Sequence, residues 1–144
     1  MIVCRKAVSG DLDTIVMLMQ QLGYAVDSNT LSARLELILQ EEKSTVLVAV
    51  TAQQQVVGCL QVLISHRLAE GNNGEIVSLV VDETQRGKGI GKILVTAACN
   101  WLQEKGYGKI RVRCNQIRTD AHRFYETLGF TEKKTQKVFE KKIM

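Results

Sequence analysis

The stretch that decides the fold of this 144-residue chain is Arg86-Gly87-Lys88-Gly89-Ile90-Gly91-Lys92, which we call the glycine loop. It follows residues 75–81, a nearly continuous apolar run that is typical of a central strand buried on both faces. It also opens residues 89–105, where apolar side chains recur at 3.6-residue spacing until Gly106 stops the pattern. The sequence therefore predicts a buried strand, the glycine loop and a helix in direct succession.

The glycine loop has the composition of an anion-binding site. Glycines let a backbone turn sharply and approach a ligand closely, and the free N–H groups of a first helical turn attract phosphate. Arg86, Lys88 and Lys92 add positive charge. A solvated glycine-rich turn is the alternative interpretation, which a lone glycine cluster leaves open.

Two common phosphate motifs do not fit the glycine loop. A Walker A loop that starts at Gly87 needs a second glycine five positions later, where this chain has Lys92. The motif also needs a hydroxyl residue directly after its lysine, whereas Lys92 is followed by Ile93. A dinucleotide fingerprint starting at Gly87 needs glycine at the same position. Both nucleotide-binding classes are therefore excluded.

The flanking sequence predicts further helices and strands. Upstream, the patterns indicate a strand at residues 2–7 and helices at 11–22 and 31–42, the second capped by Asn29 or Thr30. They also indicate strands at residues 46–51 and 56–64, with a bulge at Gly58, and a polar link at 70–74. Downstream, they indicate a strand at residues 110–114, a helix at 121–128 and a final extended segment or hairpin at 130–143. The predicted order βααβββαβαβ gives an α+β fold on one mixed, mostly antiparallel sheet flanked by helices.

Composition narrows the class of protein. With 45% apolar and 24% charged residues and no proline, the chain is predicted to be a single domain over residues 1–144. No apolar run approaches the roughly 18–20 residues that span a bilayer, and no signal segment is visible, so we expect a cytoplasmic protein that binds no membrane. The four cysteines and two histidines lack zinc spacing, so no metal site is expected. A net charge of +4 mildly favours an anionic ligand, whereas interspersed acids and 5% aromatics argue against nucleic acid.

Two motifs in sequence carry a family resemblance. The glycine loop meets the pattern R-x-x-G-x-G with Arg86, Gly89 and Gly91, and residues 121–130 meet A-x-x-F-Y-x-x-x-G-F. In this order and context the chain resembles the GNAT superfamily of N-acetyltransferases, with the sharp matches between Glu75 and Phe130. It departs from the family where many members have proline before the glycine loop, since residues 82–85 read Asp-Glu-Thr-Gln.

The resemblance implies acetyl-CoA as the acyl donor and a primary amine of a small molecule or protein as acceptor. The pyrophosphate would bind the backbone N–H groups of the glycine loop. The pantetheine arm would pair like an extra strand with Leu79, Val80 and Val81, where the family's central strand splays from its neighbour at a bulge. Asn115 would bind the pantetheine amides, although an ordinary turn asparagine fits as well.

The resemblance also implies two catalytic residues and a homodimer. Tyr125 would contact the cofactor and hydrogen-bond or protonate the departing CoA sulfur, and its alternative is a core aromatic. Glu75 would be the general base, directly or through water, and its alternative is an ordinary charged residue at a strand end. A non-catalytic acyl-CoA sensor on the same fold is the competing function, against which the presence of both residues argues. The sequence leaves the identity of the amine open.

Overall fold

A computed structural model of the chain describes residues 1–114 and 119–144. The chain divides into a larger unit, Met1–Val112, and a smaller unit, Arg113–Met144. The larger unit contains β1 (Val3–Lys6), α1 (Leu12–Leu22), α2 (Ser28–Gln40), β2 (Ser44–Val50), β3 (Val56–Arg67), β4 (Gly71–Val81), α3 (Ile90–Glu104) and β5 (Ile110–Val112). The smaller unit contains α4 (Thr119–Thr127).

The sheet has the order β1-β2-β3-β4-β5, antiparallel throughout except for the parallel pair β4–β5. Its two faces are covered by different helices. Cys59 of β3 belongs to a buried cluster with Leu18 of α1 and Leu35 of α2. A Cβ on its neighbour Gly58 would lie 3.1 Å from Leu94 of α3. Because successive strand residues point to opposite faces, α3 packs on the face opposite α1 and α2, and the predicted mixed α+β fold is confirmed.

The second helix begins earlier than its apolar pattern predicted. Its N-cap is Asp27, which has extended backbone angles and whose carboxylate accepts the Thr30 N–H at 2.8 Å. The predicted caps Asn29 and Thr30 are therefore wrong, because Asp27 places both of them inside the first turn. The helix ends at Gln40 rather than at residue 42.

The predicted polar link at residues 70–74 is wrong, because β4 already begins at Gly71, opposite Arg67 of β3. The side-chain amide of Asn73 is buried and donates to the Glu70 carbonyl at 3.3 Å, which satisfies a polar group inside the sheet. A Cβ at Gly74 would overlap the side chain of Leu102 in α3. Asn73 thus fits inside the sheet because its amide is hydrogen-bonded, and Gly74 fits because its missing side chain lets α3 approach closely.

The register shift between β2 and β3 differs slightly from its prediction. Ala49 pairs with Gly58 and Val50 pairs with Val56, so Val57 is the extra residue rather than Gly58. Gly58 instead makes room for α3, because a Cβ there would press on Leu94 and the Val80 carbonyl.

The predicted order of elements holds as far as α4. Residues 130–144 contain no helix or strand, so the predicted final strand is absent from the described part of the chain. Beyond Phe130 every residue is exposed, and lysines are frequent, at positions 133, 134, 137, 141 and 142. This segment lacks the alternating apolar side chains that would be buried on one face if it paired with a sheet. No helix in the described ranges is long and apolar enough to cross a bilayer.

Candidate active site

The edge of β4 opens halfway along its length. β5 pairs with β4 only from Gly74 to Ile76, so the part of β4 from Val77 to Val81 has no strand beside it on that edge among residues 1–114 and 119–144. The β3–β4 register shifts at the same point, since Gln61 pairs with Ser78 but the next residue of β3 pairs with Ile76. Val77 is therefore a bulge residue, and the two strands separate where the bulge lies.

The bulge decides which backbone groups of β4 face the open edge. Before it, the Gly74 N–H donates to Lys109 at the β5 side at 2.9 Å. After it, the Asp82 N–H donates across to Val57 of β3 at 2.8 Å. Because N–H directions alternate along a strand, Leu79 and Val81 direct their N–H groups to the open edge.

Val80 has the opposite arrangement. By the same alternation its N–H faces β3, and its side chain is buried against α1 and α2. Of the three β4 residues predicted to contact the cofactor, Leu79 and Val81 thus have the exposed main-chain donors. Val80 helps to fix the strand to the core.

The glycine loop forms an N-terminal helix site. Gly87 and Gly89 have φ angles of +81° and +77°, a conformation that side chains with a Cβ rarely adopt. Gly89 is the N-cap of α3, and Ile93 donates its N–H to the Gly89 carbonyl at 3.1 Å. The N–H groups of Ile90, Gly91 and Lys92 come before that first helical bond and so have no partner within the helix.

Three cationic side chains are close to these N–H groups in the sequence. Arg86, Lys88 and Lys92 are exposed, and none forms an ion pair with a described residue. Lys88 Nζ donates to the Gln85 side chain at 2.9 Å. The helix dipole and these charges favour an anion in the same place, so the residues present fit the pyrophosphate of CoA.

A side chain of α1 holds the link between β4 and the glycine loop. Gln21 Oε1 accepts the Glu83 N–H at 2.9 Å, and Gln21 Nε2 donates to Asp82 Oδ1 at 3.4 Å. Asp82 Oδ1 also accepts the Thr84 N–H at 3.2 Å. These bonds fix the link in which many family members have proline. Sequence reasoning missed Gln21, because no local motif connects it with a segment 61 positions away.

Glu75 is part of a charged network rather than an isolated strand-end residue. It is 9% exposed, and its Oε1 lies 3.3 Å from Arg67 Nη2. Arg67 also contacts Glu70 at 3.3 Å, and Glu70 pairs in turn with Arg111 of β5. The network orients the Glu75 carboxylate inside β4, two residues before the bulge at Val77. No local pattern indicates this network, since its members come from a hairpin and a separate strand.

Tyr125 lies in the smaller unit, on α4. Its half-buried ring makes edge contacts with Phe124 and Phe130, with centroid distances of 5.0 and 5.4 Å. Its carbonyl accepts the N–H groups of Leu128 and Phe130, and Gly129 ends the helix with φ of +94°. The A-x-x-F-Y-x-x-x-G-F motif thus has a structural explanation within this unit. Asn115, the other predicted contact after β5, lies outside the described residues.

A groove of about 250 Å³ opens beside the bulge on the sheet face covered by α1 and α2. Its walls are mainly aliphatic, and Val77 and Ser78 of β4 form part of its floor. In the described ranges no group of three or more histidine, cysteine or acidic residues is placed to hold a metal ion. The arrangement therefore combines an anion site, a strand edge with open donors and an adjoining apolar groove.

Comparisons with known proteins place this geometry in a family. The sequence matches the Acetyltransferase (GNAT) family over residues 15–130. It is 35% identical over 118 residues to the uncharacterized N-acetyltransferase YhdJ of Bacillus subtilis (strain 168), covering 79% of this chain and 80% of that protein.

Solved structures show the same fold. A transcriptional regulator from Bacillus halodurans C-125 superimposes with a TM-score of 0.82 and 26% identity, covering 96% of this chain and 100% of that one. An aminoglycoside N-acetyltransferase in complex with CoA superimposes with a TM-score of 0.87 and 22% identity, covering 100% and 96%. The predictions of the family and of an acyltransferase are confirmed, and the chain belongs to the acetyltransferase (GNAT) family.

Proposed function

We propose that this protein transfers an acetyl group from acetyl-CoA directly to the primary amine of an acceptor. The observation that carries the proposal is the alignment of two donor sets along one stretch of chain. Leu79 and Val81 direct N–H groups to the open edge of β4, and the glycine loop that follows presents a helix N-terminus with three exposed cations. The relative named as an N-acetyltransferase and the similar fold bound to CoA support the choice of co-substrate.

The chain's own groups would divide the work as follows. The N–H groups of the glycine loop and Arg86, Lys88 and Lys92 bind the pyrophosphate. The N–H groups of Leu79 and Val81 hold the pantetheine arm and stabilise negative charge on the thioester oxygen. A single such donor is typically worth about 2.7–4 kcal/mol of transition-state stabilisation. Bound acetyl-CoA supplies the activated thioester that an amine can attack.

An amine must lose a proton before or during attack. A free alkylamine is mostly protonated at neutral pH, since its pKa lies near ~10.4. Glu75 is the proposed acceptor of that proton, directly or through water, and its ion pair with Arg67 holds the carboxylate in one orientation. Tyr125 is the proposed donor to the departing sulfur. The cytoplasmic location and the homodimer stay predictions of the sequence.

The test joins a binding measurement to a turnover measurement. Calorimetry measures the Kd of acetyl-CoA, and thiol release from acetyl-CoA is followed over a panel of amines with the protein's own thiols subtracted. We expect saturable binding and amine-dependent release. Glu75→Gln and Tyr125→Phe should lower kcat about 10²–10⁴-fold, the usual contribution of a positioned acid or base, without a matching change in acetyl-CoA Kd.

Two results would decide against the proposal in different ways. Absence of acetyl-CoA binding would contradict the whole function. Tight binding with no release from any amine or protein acceptor would instead favour the non-catalytic sensor.

A further inference from the structure

The groove beside the β4 bulge has an unusual lining for an amine-binding site. Of the fourteen lining residues that the structure describes, ten are apolar, and they come from α1, α2, the segment between them and the sheet. The three uncharged polar ones are Tyr24, Gln61 and Ser78. No acidic residue is among the described residues that line it, so the walls offer no carboxylate to a second or third ammonium group of a substrate.

Among the described residues that line the groove, Arg34 of α2 is the one with a charge. It is exposed, and its guanidinium forms no ion pair or hydrogen bond with any residue of the described ranges. A guanidinium presents a rigid set of donors that matches a carboxylate in a bidentate arrangement. The charge of the groove is therefore complementary to a substrate with one anionic group.

The groove lies on the same face of the sheet as Glu75, the proposed general base. Ser78 pairs with Gln61 and Glu75 pairs with Leu63, so all four side chains belong to the face covered by α1 and α2. A molecule in the groove thus lies beside the bulge on the same face as the Glu75 carboxylate. Its amine can approach the bulge while another part of it contacts α2.

Size argues in the same direction. The groove's volume of about 250 Å³ lies just below the range of about 300–1,000 Å³ that is usual for drug-sized ligands. It suits a molecule of amino-acid size better than an oligosaccharide. Apolar walls also favour an aliphatic or aromatic side chain over a hydroxylated one.

We propose that the acceptor is a small apolar amine that carries one carboxylate, of the chemical class of hydrophobic amino acids. Arg34 binds the carboxylate, the aliphatic walls bury the side chain, and the amine faces the bulge. This inference rests on the proposed acetyl transfer and names the substrate class of that site. It distinguishes this chain from the aminoglycoside N-acetyltransferase that shares its fold.

The test uses substrates that differ only in the carboxylate. L-leucine is compared with 3-methylbutylamine and L-phenylalanine with 2-phenylethylamine, and kanamycin represents a polycation. We expect kcat/KM to be about tenfold higher for each amino acid than for its matched amine, the size of one charged hydrogen bond to a partly exposed group. Kanamycin should be the poorest acceptor.

Two variants assign that preference to the groove. Arg34→Gln should raise KM for the amino acids about tenfold and leave both simple amines within twofold. Lys43→Gln removes an exposed charge just beyond α2, outside the groove, and should change none of these values. Circular dichroism and acetyl-CoA Kd confirm that each variant is folded and binds its co-substrate.

The outcomes separate this inference from the proposed function. Failure of the wild-type protein to bind acetyl-CoA overturns both. If acetyl-CoA binds normally, three results overturn the substrate class alone. They are a preference for kanamycin or the simple amines, no turnover of either amino acid, and an equal loss of activity on all substrates in Arg34→Gln.

Discussion

Replacing Gln21 by alanine removes the side chain that ties α1 to the link before the glycine loop. The variant loses a 2.9 Å bond from the Glu83 N–H and a longer 3.4 Å bond to Asp82. A neutral hydrogen bond contributes about 0.5–1.5 kcal/mol, and the longer bond adds less than its charge would suggest. Water can replace part of the loss, because Glu83 is exposed. We therefore expect the preorganised link to lose about 1 kcal/mol, which corresponds to a roughly fivefold weaker binding of acetyl-CoA.

The assay for Gln21→Ala is calorimetry with acetyl-CoA, followed by steady-state kinetics on any active amine. The kcat should stay within twofold, since the N–H groups of Leu79 and Val81 lie on the other side of the link and keep their β4 anchors. Gln20→Ala is the matched control, an exposed glutamine on the same helix. Equal acetyl-CoA affinities in the two variants would refute the tether, and so would a loss confined to kcat.

Three further predictions concern stability and reactivity. Gly74→Ala forces a methyl group against Leu102 and should cost about 1–3 kcal/mol of unfolding free energy in urea titrations; an unchanged midpoint would contradict the close packing. The hydrogen-bonded Arg5 guanidinium lowers the pKa of Asp11, so this carboxylate stabilises the fold above its unfolded pKa near ~3.9 and loses that contribution as the pH falls through its lower folded value. Asp11→Asn should therefore be less stable than wild type at pH 7, with the gap closing as the pH falls through the lowered pKa of Asp11, and a gap that is constant with pH would be the contrary result. Burial raises the pKa of the Cys59 thiol to about 12, so a thiol reagent at pH 8 should label it only after unfolding.

The sequence predicted the parts of the fold that local patterns specify. The apolar run of β4, the periodicity of α3 and the glycine loop between them all lie where they were expected, because each follows from a few neighbouring residues. The start of β4 was misplaced, because the polar residues at 71–74 enter the sheet by pairing with residues 64–67 of β3 and by contacts with Glu70 and Leu102. Such contacts depend on long-range packing that no local pattern contains.

The features of the candidate site that adjacent residues specify were predicted, and those that depend on distant contacts were not. Glycine, arginine and lysine at fixed spacing indicated the anion site, since its chemistry is carried by adjacent residues. The direction of the Leu79 and Val81 N–H groups depends on the Val77 bulge, which exists only in the pairing of β3 with β4. The Gln21 tether, the partners of Glu75 and the position of Arg34 likewise come from segments that are distant in sequence.

Amide hydrogen exchange by NMR, with and without acetyl-CoA, measures directly whether the open edge of β4 holds the co-substrate. Saturating acetyl-CoA should raise the protection of the Leu79 and Val81 amides at least tenfold. The Val80 amide, which already faces β3, should change little, and so should Ser78. Binding of acetyl-CoA along that edge predicts alternating protection along β4 together with protection of Ile90 to Lys92. Uniform protection along β4, or none at Leu79 and Val81 while acetyl-CoA is bound, would contradict the claim that the open edge beyond the bulge holds the co-substrate.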